Sequence, residues 1–266
     1  MKSTLHFFSG ISLCMLFSVF SVKAQTVSTT YATQINATFA NLDKTKVPQK
    51  LLVDYAMEFT ELSGYNGTLT TNNVLHRGHY TAIYNTLLMS RVQSSVAGLV
   101  NPTTFKANWD NLRQPNKIVL SGLYYKYNQF KTNASPNYLT ITNNKFYDKY
   151  VNGVWQNPYD EKQVFAMASP ILKFNKLTMQ VQLPTALWYT NQSSSVHSIA
   201  IDFGDGLGYQ TITLGQLKTV SFSQSGWYEW KYKLTLTNNQ VLYSHSKIQI
   251  EQAPARIPFA QRFKQQ

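Results

Sequence analysis

Cysteine is nearly absent from this chain. The 266 residues hold a single one, Cys14, inside an apolar run close to the N-terminus. Disulfides within the chain, thiolate catalysis and cysteine-based zinc sites are thereby excluded from its body. Charge is scarce as well. Asp, Glu, Lys and Arg make up 14% of residues, against about 25% in an ordinary soluble domain. The shortage falls on the acids, 12 against 24 Lys and Arg, so paired carboxylates for glycoside hydrolysis have few donors. Glu58 and Glu61 are spaced as neighbours on one exposed helix face. His76 and His79 are the only closely spaced histidines. Without a third ligand they read as helix-surface or capping residues rather than a zinc centre. The sequence has no long block of like charge, no nucleic-acid-binding motif and no Gly-x-Ser-x-Gly elbow. The chain therefore carries no catalytic constellation of its own, and neither a cofactor nor a specific nucleic-acid partner is expected.

What is present is apolar and aromatic: 43% hydrophobic and 14% aromatic residues. That is enough for a packed core and excludes wholesale disorder. Much of the remainder is Asn, Thr, Ser, Gln and Tyr, as in secreted β-rich proteins. Residues 1–24 read as a signal peptide. Lys2 supplies the positive end, an apolar stretch runs from Phe7 to Phe20, and Val22-Lys23-Ala24 suits cleavage before Gln25. The expected location is secreted, extracellular or in the cell envelope, with no transmembrane segment after cleavage. Removing Lys2 and Lys23 leaves 22 basic against 12 acidic residues, a formal +10. Such a field favours a polyanionic partner such as an acidic glycan or envelope polymer.

Residues 25–46 are rich in Thr, Ser and Asn and read as an extended leader. An α+β region is expected over 47–163. Its first helix begins near Thr45 and Pro48, presents Leu51, Leu52, Tyr55, Phe59 and Leu62, and stops at Gly64. A second helix is expected over Asn73–Val92. A third opens at Asn101-Pro102-Thr103, holds Phe105, Trp109 and Leu112, and ends before Pro115. The period then alternates through Lys117–Lys131 and Tyr138–Ile141, and Asn152-Gly153 marks a turn. From Val164 to residue 252 the chain is strand after strand, the density of a β-sandwich. Tyr228, Trp230, Tyr232, Leu234 and Leu236 share one parity, with Glu229, Lys231, Lys233 and Thr235 on the other. Residues 253–266 read as a linker or tail.

One local motif has a recognisable shape. Phe203-Gly204-Asp205-Gly206 follows a short alternating strand, and Gly226-x-Tyr228 launches the long strand that comes later. The glycines suit positive φ in a tight turn, and Asp205 can accept turn amides. Over roughly 170–252 this resembles the polycystic kidney disease (PKD) repeat, an immunoglobulin-like β-sandwich. The resemblance implies that Phe203, Gly204, Asp205, Gly206, Gly226 and Tyr228 serve the fold. A weaker resemblance runs through Leu51–Gly67, Tyr80–Met89 and Leu183-Pro184-x-x-Leu187-Trp188. It is to the N-terminal half of secreted Bacteroidetes proteins in which an α/β-hydrolase domain follows, and it implies an adjoining hydrolase outside this chain.

The fold class expected is thus an α+β N-terminal region followed by an all-β immunoglobulin- or PKD-like sandwich. Asp202 and Asp205 are the best calcium candidates, though two carboxylates fall short of the six to eight oxygens calcium takes. The surplus of aromatics suggests sugar stacking, and Trp155, Tyr159, Trp188 and Trp227 are the expected ligand-binding residues. The expected function is a non-catalytic accessory or adhesion module that binds carbohydrate or protein at the cell surface. The alternative is the N-terminal portion of a secreted lipase- or esterase-like hydrolase.

Overall fold

The computed structural model describes residues 24–252, with side chains from residue 31 onward. Residues 1–23 of the expected signal peptide and the 253–266 tail lie outside the described residues. Three helices longer than one turn come first: α1 (Ala24–Thr38), α2 (Arg77–Met89) and α3 (Pro102–Asn111). The leader expected to be extended thus carries a helix. Ile35 and Phe39 at its end, with Leu42 beyond, are buried against Leu52, Phe130 and Leu139, and this packing overrides the weak local pattern.

The helix expected over 47–62 does not form. Only two 3-10 turns occur there, Val53–Tyr55 and Leu62–Tyr65. Adjacent Leu51 and Leu52 enter two different cores, which requires extended backbone. Their main chains are also recruited by neighbours: Leu52 N–H donates to Ser90 O at 2.8 Å, and Leu51 O accepts Asn128 N–H at 2.8 Å. Phe59, expected on the apolar stripe, is exposed. α3 forms where its cap predicts, and α2 is shorter than the expected Asn73–Val92 because Asn73 is engaged in the preceding loop and His76 caps the helix instead. His76 Nδ1 accepts the Gly78 N–H at 3.0 Å at the start of α2. Asn101 Oδ1 accepts the Thr104 N–H at 2.8 Å ahead of Pro102 in α3.

The strands begin with β1 (Lys117–Val119) and β2 (Ser121–Phe130). The one-turn α4 (Ala134–Asn137) follows, then two small hairpins. These are β3 (Leu139–Thr142) with β4 (Lys145–Asp148), and β5 (Tyr150–Val151) with β6 (Val154–Trp155). Next come β7 (Tyr159–Ala168), β8 (Lys173–Phe174), β9 (Thr178–Gln182) and β10 (Trp188–Thr190). The series closes with β11 (Val196–Asp202), β12 (Tyr209–Ile212), β13 (Leu217–Ser221), β14 (Gly226–Leu236) and β15 (Val241–Ile250).

β2 and β7 pair antiparallel over ten positions and form the wall of the molecule. Leu123, Tyr125 and Tyr127 of β2 face the core beneath α2 and α3, whereas Tyr124 faces the sandwich. Burial on both faces explains why apolar residues occur on both parities of this segment. The C-terminal part is an immunoglobulin-like sandwich of two sheets, β1-β9-β13 and β12-β11-β14-β15-β8. Ile118, Met179, Val181 and Val220 face Ile201, Trp230, Tyr232 and Leu234 between them. Fold class therefore stands as an α+β region followed by an all-β sandwich.

The division expected between 163 and 164 falls inside β7. The two parts also exchange edges. β1, from the first part, pairs parallel with β9 of the sandwich. β10, from the second, pairs parallel with β2 of the wall. Each short strand supplies backbone partners that the other sheet needs, so alternation along one segment gives no sign of the exchange.

Candidate functional site

The register of β14 sorts its side chains into two sets. Trp230, Tyr232, Leu234 and Leu236 are buried, and Phe203 meets Trp230 edge-on at 4.9 Å between ring centres. Trp227, Glu229, Lys231, Lys233 and Thr235 therefore share the outer face. Pairing extends that face sideways. Trp227 lies opposite Gln249, which lies opposite Lys173. Glu229 lies opposite Lys247. Lys231 stands between His245 and Asp202, and Asp202 lies opposite Tyr209. Lys233 stands between Tyr243 and Ala200.

This outer face has two aromatic stations. At one end Trp227 is 62% exposed. Toward the other, Tyr209 and Tyr243 lean across the strands until their rings lie 6.2 Å apart, and Lys233 Nζ sits 5.6 Å from the Tyr209 ring centre. Burial, with Tyr243, Asp202 and Glu229 nearby, pushes the Tyr209 phenol up to about 12. Trp227 and Lys233 are six residues apart on one strand, about 20 Å. The intervening surface is polar and charged. Its Glu229 carboxyl is held below the ordinary range, chiefly by the bond to His245. The face is a strip that offers an indole, a tyrosine pair and charged donors and acceptors to an extended ligand.

The strip is open toward β12 and covered on the β15 side. Tyr243 N–H donates to Gly67 O and Leu75 N–H to His245 O, each at 2.8 Å, so the 67–75 loop closes the free edge of β15. His245 lies buried under that loop, its Nδ1 2.6 Å from Glu229 Oε1.

The four expected ligand-binding aromatics do not converge. Tyr159 is buried within the core beside Phe130. Trp188 is half-buried and packs on Gly122, where an added Cβ would lie 2.9 Å from its ring. Trp155 is half-buried, donates its Nε1 to Asp148 Oδ1 at 2.8 Å, and lies 6.3 Å from Tyr159. Trp227 alone presents an open indole. Tyr209 and Tyr243 were not singled out from the sequence. Their signal is visible only after β11 and β12 are paired across the Asp-Phe-Gly-Asp-Gly turn.

That turn is built from its own side chains. Asp202 Oδ1 accepts the Gly204 N–H at 2.9 Å, and Asp205 Oδ1 accepts the Leu207 N–H at 3.1 Å. Asp205 Oδ2 accepts Gln210 Nε2 at 2.9 Å. Gly204 and Gly206 both have positive φ, 72° and 89°. Tyr228 donates its hydroxyl to Gln224 O and packs on Phe222. No cluster of three or more metal-ligating side chains occurs among the described residues. His76 and His79 stack at 3.8 Å, and the ring nitrogen of His76 is spent on the α2 cap.

No protein-family model matches the chain. No curated protein matches it either. Among solved structures it is similar to the PKD1 domain of the Vibrio cholerae metalloprotease PrtV. The identity is 21%, over 30% of this chain and 90% of that one, with a TM-score of 0.24. It is also similar to the PKD1 domain of Vibrio anguillarum Epp, at 18% identity over 31% of this chain and 89% of that one, again with a TM-score of 0.24. No helix among the described residues is long and apolar enough to cross a membrane.

Proposed function

We propose that this chain is an exported, non-catalytic accessory or adhesion module whose PKD-like sandwich holds an extended carbohydrate on the outer face of its five-stranded sheet. The observation that carries this reading is Trp227, 62% exposed on a strand paired along its length with β15. An indole open on a paired strand leaves a ring face free for a sugar to stack on. The Tyr209–Tyr243 pair and the lysines between extend the surface to a polymer rather than a single sugar. The excess of basic residues favours an acidic polymer. An adjoining hydrolase domain concerns a longer protein, and its chemistry attaches to no residue named here.

The test is affinity electrophoresis of the full chain through gels that contain neutral or acidic polysaccharides. Retardation in at least one gel is expected, with a loss of about tenfold or more in affinity for Trp227→Ala. The reading fails if no polysaccharide retards the chain, or if the variant is retarded equally.

A further inference from the structure

A second exposed apolar feature lies away from the sheet face. The β5–β6 hairpin pairs Tyr150 with Trp155 and Val151 with Val154 across an Asn152-Gly153 turn, both turn residues having positive φ. Pairs that lie opposite each other share a face, and successive pairs alternate. Tyr150 and Trp155 face the body, where Trp155 packs against the core near Tyr159. Val151 and Val154 therefore face away from it, 46% and 64% exposed, with Tyr150 at 53%. Branched aliphatic side chains on the outward face of a two-residue turn contribute nothing to the core.

The base of the hairpin is basic. Lys46 Nζ lies 4.7 Å from the Tyr150 ring centre and 5.4 Å from that of Trp155. Lys149 adjoins Tyr150 and donates to Pro136 O, and Lys131 donates to Asn157 O, both at 2.7 Å. Lys44 sits on the same 3-10 turn as Lys46. Asp43 and Asp148 are the nearby acids, and both are engaged. Asp148 accepts Trp155 Nε1 and the Asp43 N–H, and Asp43 accepts the Thr45 N–H and pairs with Lys46 at 3.6 Å, so Lys44, Lys131 and Lys149 carry the excess positive charge.

We infer that the Tyr150–Trp155 hairpin docks the protein on an anionic lipid surface, the two valines entering the acyl boundary and the lysines meeting the head groups. An apolar tip above a cationic collar has the charge and polarity profile of such an interface. A sugar is a poorer fit. Trp155 is half-buried with its Nε1 bonded to Asp148, Lys46 occupies one side of the Tyr150 ring, and the outermost groups are the two valines beside the open part of Tyr150. The inference is independent of the sheet face, which lies on another part of the molecule.

The test places an environment-sensitive fluorophore on the hairpin of the full chain. Val154→Cys is labelled in a Cys14→Ser background and mixed with vesicles of equal parts phosphatidylglycerol and phosphatidylcholine, or of phosphatidylcholine alone. The emission is expected to rise and shift to the blue with anionic vesicles only. Adding Val151→Asp should weaken the response about tenfold or more, and Lys149→Glu should also weaken it. Both substituted side chains lie outside the core, so thermal midpoints are expected to hold. The inference is overturned if the probe does not respond to anionic vesicles, or responds equally to neutral ones. It is also overturned if Val151→Asp leaves the response intact, or if dextran sulfate elicits the same response. Because the readout is local to residue 154, its failure would leave polysaccharide retardation through Trp227 unaffected.

Discussion

Nε2 of His245 lies 2.8 Å from Oδ1 of Asn73, which joins residues 172 positions apart in sequence. The amide's orientation is set by its other bonds. Asn73 Nδ2 donates to Gly64 O at 2.8 Å and Thr68 O at 2.7 Å, so Oδ1 faces the ring and accepts from Nε2. One side chain thus shapes the 64–73 loop and ties it to the sandwich. Asn73→Leu should leave Nε2, the Thr70 N–H and two carbonyls without their Asn73 partners and cost about 2–3 kcal/mol. Urea denaturation would give the loss. Hydrogen exchange at the Leu75 amide, which donates to His245 O, should quicken more than exchange within β14.

Two tryptophans three residues apart on β14 should respond oppositely to truncation. Trp230 is fully buried against Phe203, and Trp230→Ala should cost about 3–5 kcal/mol. Trp227→Ala should change stability by no more than about 0.5 kcal/mol while removing polysaccharide affinity. Paired urea melts and affinity gels would check both.

Asp54 should make stability depend on pH between about 4 and 6. Burial pushes its carboxyl up to about 6, although Oδ2 accepts the Phe130 N–H at 2.8 Å. A carboxyl raised on folding favours the fold most below its unfolded value. That contribution is lost as the pH rises through about 6. Asp54→Asn keeps an acceptor for Phe130 and removes the cost of the charge. Its stability relative to the natural chain should rise between pH 4 and 7, by up to about 2 kcal/mol. Thermal midpoints across that range would show it, and a difference independent of pH would refute it.

Gly122 should tolerate no side chain. A Cβ there would meet Trp188 Cε3 and Cζ3 at 2.9 Å and Met167 Cγ at 3.0 Å. Gly122→Ala should cost about 1–3 kcal/mol. Trp188→Phe in the same background should recover part of the loss, since the two sites touch. A double-mutant cycle measures that coupling.

The sandwich was legible because its local signals agree. Period-2 alternation marks the inner face of β14, and Phe203, Gly204 and Asp205 carry their own turn chemistry. The start of α3 was legible from Asn101 and Pro102, which act within one turn, whereas α2 begins four residues after the expected Asn73, behind the His76 cap. The 47–62 segment misled because Leu51, Leu52, Tyr55 and Leu62 recur at helical spacing. They are in fact divided between two cores, and spacing cannot distinguish one apolar stripe from two opposite destinations.

The candidate site divided in the same way. Parity assigned Trp227 to the outer face of its strand, but only the assembled sheets decided that it stays uncovered. Trp188 and Tyr159 carried equal promise as residues and were taken up by packing. Tyr209 and Tyr243 came together only through four strands in register, and Val151 and Val154 stood out only once the Trp155 side chain had turned to the core. By itself the sequence determined the Phe203–Gly206 turn, the cap of α3 and the inward parity of the long strands, because those depend on neighbours within a few residues. The tertiary structure decided the partners of β1 and β10, the roof over His245 and which aromatic faces remain open. Those depend on surfaces contributed by segments as much as 172 residues apart.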